Sequence, residues 1–162
     1  MSQAPDAALG LEARADDVDH LSLRLWLRLL ACSTQIETEI RRRLRSRFDT
    51  TLARFDYLAQ LHRHPEGLAM SVLSRCLMVT GGSITGLTDQ LQREGLVQRE
   101  TMPNDRRSSR LKLTPQGRGF FEQMAAEHEA WVVELFAGLG PNERKQLHGL
   151  LGLLRQTAKE EP

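Results

Sequence analysis

The sequence predicts a mainly α-helical chain with one small β-hairpin, and three observations support this fold class. Apolar residues recur at helical spacing through most of the 162 residues, between breaks rich in glycine and proline. Segments 96–100 and 109–113 instead read as short strands on either side of a polar turn. The 40% hydrophobic and 27% charged residues match an ordinary folded domain rather than a disordered chain.

The first two predicted helices rest on uninterrupted apolar periodicity. The segment from Leu21 to about Arg47 contains neither proline nor glycine. Its apolar face comprises Trp26, Leu29, Leu30, Ile36, Ile40 and Leu44. Its last turns carry Arg41, Arg42, Arg43, Arg45 and Arg47. These cations suit the negative end of the helix dipole, or a contact with phosphate, and both interpretations stay open. A second helix is predicted from about Leu52 to Arg63, before Pro65.

Two short helices separated by a tight turn come next. They are predicted at Met70–Leu77 and Gly82–Glu94. Thr80, in the turn, is the candidate N-cap of the later helix, and Gly95 ends it. This arrangement is typical of a helix-turn-helix, although any two amphipathic helices can pack in this way.

A hairpin and two further helices complete the predicted elements. The strands are Leu96–Glu100 and Ser109–Leu113, joined by a turn that contains Pro103 and Asn104. Thr114 caps a long helix that begins at Pro115 and runs to about Leu135. A last helix is predicted from about Asn142 to Thr157, and its apolar stripe consists of Leu147, Leu150, Leu151 and Leu154.

Charge is distributed unevenly along the chain. The net charge is only +1, yet residues 98–118 carry six basic residues against two acidic ones. Residues 1–20 carry five acidic residues against one basic residue. A basic segment in a near-neutral chain predicts a local site for a polyanion.

The order of short helix, turn, short helix and basic hairpin indicates a winged helix-turn-helix that binds double-stranded DNA. The start of the Gly82–Glu94 helix offers unpaired N–H groups, and Gly81 and Gly82 allow a phosphate to come close. The short side chains of Ser83 and Thr85 can reach base edges, whereas Gln90, two turns into the helix, could pair with adenine or touch only the DNA backbone. The arginines of the hairpin could follow a phosphate strand or enter a narrow minor groove. The predicted DNA-binding residues are Thr80, Gly81, Gly82, Ser83, Thr85, Gln90, Asp105, Arg106, Arg107 and Arg110.

Two stretches resemble the MarR family of bacterial transcription regulators: Met78–Glu100 and Asp105–Gly117. The second reads Asp-Arg-Arg-Ser-Ser-Arg-Leu-Lys-Leu-Thr-Pro-Gln-Gly and contains the family's wing signature. The resemblance implies a homodimer, interlocked through its first, fifth and sixth helices, on a palindromic site. It also implies that Arg107 enters the minor groove and that Asp105 orients this arginine.

The chain departs from the family pattern at three positions. Many members have arginines near positions 86 and 90, where this chain has Gly86 and Gln90. We therefore expect the hairpin and the helix N-termini to supply most of the electrostatic affinity. Many members also have Thr or Ser at position 69, so Ala69 leaves the cap of the third helix in doubt.

These interpretations divide the chain into three kinds of segment. Residues 1–18 are expected to form a flexible arm. Residues 19–48 and 115–162 are expected to form dimerisation helices, and residues 49–114 the winged helix-turn-helix.

The resemblance also implies a repressor that a small molecule releases from DNA. The segments Leu23–Arg28 and Val79–Gly82 resemble a branch that controls the breakdown of hydroxycinnamates and related aromatic acids, sometimes sensed as CoA thioesters. The residues expected to line the effector pocket are Arg24, Trp26, Arg28, Phe55 and His62. Trp26 also suits an ordinary core position.

Several alternatives follow from other residues. Cys32 and Cys76 could sense oxidants, although Cys32 is expected to be buried among apolar residues. Metal sensing is another alternative, although His62 and His64 are two residues apart and face different sides of a helix, which disfavours a shared metal site. No cofactor is expected. Nucleophile and nucleotide-binding motifs are lacking, which disfavours an enzyme. The last helix could instead serve a protein-interaction module. The start of the chain has no secretory signal, and no apolar run spans a bilayer, so we expect a cytoplasmic protein without a membrane partner.

Overall fold

The computed structural model describes residues 21–77, 81–102 and 105–157, with the backbone alone at 81, 82, 102, 105–108 and 157. These residues form six helices and three strands. In chain order they are α1 Leu21–Phe48, α2 Leu52–Arg63, β1 Leu68–Ala69, α3 Met70–Leu77, α4 Gly81–Arg93, β2 Val97–Met102, β3 Asp105–Leu113, α5 Pro115–Leu135 and α6 Pro141–Thr157. The predicted fold class is confirmed, and each helix boundary lies within one residue of the predicted one. The predicted arm at residues 1–18 lies outside the described residues.

The strands form one antiparallel sheet in the order β1-β3-β2. Strand β1, which the sequence did not predict, pairs Leu68 with Leu111 and Ala69 with Arg110. Ala69 is therefore a strand residue directly before α3. The hairpin is longer than predicted, because β3 begins at Asp105 rather than Ser109 and pairs with β2 as far as Met102.

The chain divides into two compact units, Met1–Phe121 and Glu122–Pro162. The core of the first unit lies among α2, α3, α4 and the sheet. Its fully buried side chains include Leu58, Leu61, Leu73, Ile84, Leu91 and Leu111. Burial of this apolar surface is the main force that holds α4 and the hairpin in place.

Helix α1 is buried only towards its C-terminal end. Ile40 and Leu44 are buried, whereas Trp26 is 55% exposed and Leu30 is 45% exposed. The apolar face identified from the sequence is therefore buried only in part within the single chain. Trp26, for which a core position was the alternative to a ligand contact, is not in the core of the single chain. Helical periodicity reports an apolar face, but it does not report what covers that face.

The second unit contains the rest of α5 and the whole of α6. All four residues of the predicted apolar stripe of α6 are exposed, from Leu147 at 37% to Leu150 at 65%. Within residues 21–77, 81–102 and 105–157, no helix combines the length and the apolar character that crossing a bilayer requires.

Candidate nucleic-acid interface

Helix α4 has one buried face and one polar exposed face. Ile84, Thr88 and Leu91 are buried at intervals of four and three residues. The exposed residues are Ser83, Thr85, Gly86, Asp89, Gln90 and Arg93. Three predicted DNA-binding residues, Ser83, Thr85 and Gln90, thus share the exposed side of one helix. At Gly86 an added Cβ would meet nothing within 4 Å, so this side is open where the family often has an arginine.

A buried pair of hydroxyl groups fixes α4 against α2. The Thr88 hydroxyl donates to the Ile84 carbonyl at 2.8 Å, and it lies 2.7 Å from the Tyr57 hydroxyl. Because the only hydrogen of Thr88 is used within its own helix, Tyr57 is the donor to Thr88. Burial raises the pKa of Tyr57 to about 12.

An ion pair makes a second link between the same two helices. The guanidinium of Arg54 on α2 donates to both carboxylate oxygens of Glu94, which follows α4, and the Nη1–Oε1 distance is 2.8 Å. Glu94 also accepts from the Gln90 side-chain amide at 3.3 Å. Hydrogen bonds from Arg54 are the main cause that lowers the pKa of Glu94.

The hairpin continues from α4 and ends in the basic segment. In the register of the hairpin, Glu100 lies opposite Arg110. Glu100 also forms an ion pair with Lys112, with a distance of 2.5 Å between Oε2 and Nζ. Arg110 is half-buried. The backbone of β3 includes positions 105, 106 and 107 at the far end of the hairpin. The side chains of Asp105, Arg106 and Arg107 lie outside the described residues, as does Thr80. Gly81 and Gly82 form the first turn of α4.

The segment Leu113–Gly117, which has the pattern Leu-Thr-x-x-Gly and belongs to the wing signature, anchors the base of the hairpin. Thr114 accepts from the Gly117 amide at 2.9 Å and donates to the Gly95 carbonyl at 2.6 Å. Its own amide donates to the Leu96 carbonyl at 3.1 Å. A Cβ on Gly117 would lie 1.9 Å from the Leu96 oxygen, so only glycine allows α5 to approach so closely. The start of α5 is therefore joined to the end of α4.

The residues predicted to line an effector pocket fall into two groups. Phe55 and His62 of α2 both contact the Phe121 ring, with centroid distances of 5.5 and 4.8 Å. Arg24 and Arg28 lie on the exposed part of α1. Trp26, two residues from each of them, points to a different side of the helix.

The arginines at the end of α1 have acidic partners on their own helix. Arg41 pairs with Glu37, and both Arg42 and Arg43 pair with Glu39. These hydrogen bonds lower the pKa of Glu39 to about 2. Such exposed pairs stabilise a helix only slightly, but they compensate much of the local positive charge.

The exposure of the two cysteines and the arrangement of possible metal ligands bear on the redox and metal hypotheses. The expectation that Cys32 is buried is wrong, because Cys32 and Cys76 are both exposed. Cys32 belongs to the part of α1 in which Leu25, Trp26 and Leu30 are exposed. Among the described residues, no group of three His, Cys, Asp or Glu side chains is arranged to hold a metal ion.

Four residues that fix α4 were missed by the sequence reasoning: Arg54, Tyr57, Thr88 and Glu94. Thr88 carried a signal, since it lies four residues after Ile84 on the apolar side of α4. Arg54 and Glu94 carried none, because 40 residues separate them and their pairing is purely tertiary.

The helix pair, the exposed polar face of α4 and the following hairpin define a winged helix-turn-helix protein. Residues 48–108 match the model of the MarR family. The chain is 36% identical over 89 residues to the uncharacterized regulator YkoM of Bacillus subtilis, covering 55% of this chain and 56% of that protein. It thus spans about half the length of this curated relative.

Two solved structures cover more of the chain. A MarR family transcriptional regulator from Silicibacter pomeroyi is 30% identical, with a TM-score of 0.72 over 88% of this chain and 99% of that one. A MarR variant from E. coli, complexed with operator DNA, is 26% identical, with a TM-score of 0.71 over 86% and 99%. The chain belongs to the MarR family. Its members are transcriptional regulators, which agrees with the prediction that this chain is not an enzyme.

Proposed function

We propose that this chain regulates transcription by binding a palindromic DNA operator as a homodimer. The observation that carries the proposal is the exposed polar face of α4, held beside a basic hairpin by a buried core. Ser83, Thr85 and Gln90 would contact base edges, and the N–H groups at Gly81 and Gly82 would contact phosphate. The E. coli MarR variant in complex with operator DNA supports this by similarity.

Arg106, Arg107 and Arg110 would supply the cations that contact the DNA backbone and the minor groove. Asp105 would hold Arg107 in the orientation for groove entry. Thr80 would cap α4 and place its first turn against a phosphate. With Gly86 and Gln90 in place of cations on α4, the hairpin carries most of the charge in this site.

The homodimer is supported by the apolar surface that the single chain leaves uncovered. On α1 this surface includes Leu21 at 65%, Leu25 at 59% and Trp26 at 55% exposure. On α6 it includes Leu150, Leu153 and Leu154. Exposed apolar side chains at this density mark an interaction surface, and a second copy of the chain would place two α4 helices on one duplex.

The effector would be a small aromatic acid or its CoA thioester, and the protein would act as a repressor. Arg24 and Arg28 would offer cations to a carboxylate or phosphate, and Phe55 and His62 would offer rings for an aromatic group. Trp26 would offer a third ring, from a different side of α1 than the two arginines. Titrating the protein–DNA complex with such acids and their CoA esters tests this. Retention of DNA at every ligand concentration would remove the effector proposal without affecting the DNA-binding proposal.

The test of DNA binding begins with capture of genomic fragments by the full chain, followed by affinity measurements on a captured duplex. Arg107→Ala should weaken binding at moderate salt at least about tenfold and lower the salt slope by about two, because the homodimer loses one arginine from each protomer. Arg63→Ala is the matched control, because it removes the same charge from an exposed site outside α4 and the hairpin. An unchanged affinity for Arg107→Ala in a folded protein would show that the hairpin assignment is wrong.

A further inference from the structure

The side-chain amide of Gln90 is held in place although it lies on an exposed face. Glutamine has three rotatable side-chain bonds, and an unrestrained one must lose this freedom to contact a base. Here the amide nitrogen donates to Glu94 at 3.3 Å. Because a carboxylate only accepts hydrogen bonds, this contact also decides which end of the amide is nitrogen and which is oxygen.

Glu94 is held in turn by a residue from outside α4. Both of its oxygens accept from Arg54, whose side chain is only 12% exposed. A two-pronged guanidinium–carboxylate pair fixes the plane of the carboxylate as well as its position. The orientation of Gln90 therefore depends on a residue of α2 and not on α4 alone.

The anchored amide retains the groups that would recognise a base. One N–H is used by Glu94, which leaves the second N–H and the carbonyl oxygen. These are the two groups with which glutamine pairs with N7 and the N6 amino group of adenine. An amide already oriented in this way would lose less conformational freedom on binding.

We propose that Arg54 and Glu94 are positioning residues for base recognition: their ion pair orients Gln90, so the preference for one base pair in each half-site depends on two residues that touch no base. This inference rests on the proposed function. It adds a determinant of DNA sequence preference that does not itself lie on the exposed face of α4.

The test is selection of preferred sequences from a duplex pool randomised around a captured site, using full-length variants. Gln90→Ala and Glu94→Ala should each reduce the preference at the same base pair by about tenfold, which is typical for one two-point contact. The other positions should change by less than about twofold. The double variant should lose no more preference than Gln90→Ala alone, because Glu94 acts only through Gln90.

Three further variants separate positioning from charge and stability. Glu37→Gln is the matched control for charge, since it breaks an exposed ion pair on α1 and should leave the preference unchanged. Glu94→Gln and Arg54→Lys are milder changes that keep the fold if Glu94→Ala unfolds. Both should weaken the same base preference, because lysine and an amide cannot restore the two-pronged pair.

The outcomes are distinguishable. Two results would overturn the positioning role while leaving DNA binding intact. One is a Glu94→Ala variant whose base preference is reduced equally at all positions. The other is a double variant whose loss of preference is the sum of the losses in Glu94→Ala and Gln90→Ala. A Gln90→Ala profile identical to the wild type would do the same. Failure of the wild-type chain to select any sequence would overturn the proposed function itself.

Discussion

Thr88 is fully buried on the apolar side of a helix whose other side is polar. Its hydroxyl accepts from Tyr57 and donates to Ile84, so a chain of two hydrogen bonds crosses from α2 into α4. Together with Arg54 and Glu94, this link fixes how α4 is rotated about its own axis. Rotation decides which side chains face outward, and hence which ones can contact DNA.

Removal of the Thr88 hydroxyl should cost more stability than removal of the Tyr57 hydroxyl. Thr88→Val leaves a buried phenol without an acceptor, at a cost of about 1–3 kcal/mol, whereas Tyr57→Phe removes the donor and should cost about 1 kcal/mol. The double variant should lie close to Tyr57→Phe. Urea unfolding of the four proteins measures the coupling, and a strictly additive double variant would contradict the hydrogen-bonded pair.

Stability should decrease in acid through two carboxylates. The pKa of Glu94 is lowered by Arg54, and that of Glu39 is lowered to about 2, both from an ordinary value of 4.5. A lowered folded-state pKa stabilises the protein above the unfolded-state pKa, and this contribution disappears as the pH falls below about 4.5, down to about pH 2 for Glu39. Glu94→Gln should flatten the dependence of the urea midpoint on pH in this range. An equally steep dependence in the variant would exclude Glu94 as a contributor.

Most helices could be predicted from the sequence because each is bounded by a local signal. Pro65, Gly95, Thr114 and Pro115 end or begin elements through their own backbone geometry. Strand β1 could not be predicted, because two residues show no periodicity and become a strand only by pairing with Leu111 and Arg110. The close contact of Gly117 with Leu96 is likewise tertiary.

Gly117→Ala should destabilise the protein by about 1–3 kcal/mol, because its Cβ would force α5 away from the Leu96 carbonyl. Gly119→Ala, two residues further along the same helix, is the matched control. An added Cβ there meets nothing within 4 Å, so this change should stabilise by roughly 0.5–1 kcal/mol through helix propensity. Equal and small effects of both changes on thermal unfolding would contradict the role of Gly117 in joining α4 to α5.

The contacts between copies of the chain could not be predicted from the sequence. The apolar faces of α1 and α6 were recognised from periodicity, but a sequence pattern does not distinguish an interior from an interface between copies. The same limit explains why Cys32, which was expected to be buried, and Trp26, which also suited a core position, are both exposed in the single chain. The residues proposed to contact DNA could be named from local pattern, whereas the residues that orient them depend on contacts between helices distant in sequence.

Charging the apolar face of α6 should dissociate the proposed dimer. The double variant Leu150→Glu and Leu154→Glu should sediment as a monomer, because it would bury unpaired carboxylates in the proposed interface. Gln156→Glu adds a charge to an exposed site on a different side of α6 and should remain a dimer. A dimeric double variant would show that α6 does not form the interface.

We propose that two copies of α4 and the hairpin bind one duplex symmetrically. Hydroxyl-radical footprinting of the wild-type chain on a captured operator measures this symmetry. We predict two sets of protected sugars related by a two-fold axis, with half-site centres about 10 base pairs apart or a multiple of this. Arg107→Ala should lose protection in the minor groove that flanks each half-site. A single unsymmetrical footprint, or one that Arg107→Ala leaves unchanged, would contradict symmetrical binding through α4 and the hairpin.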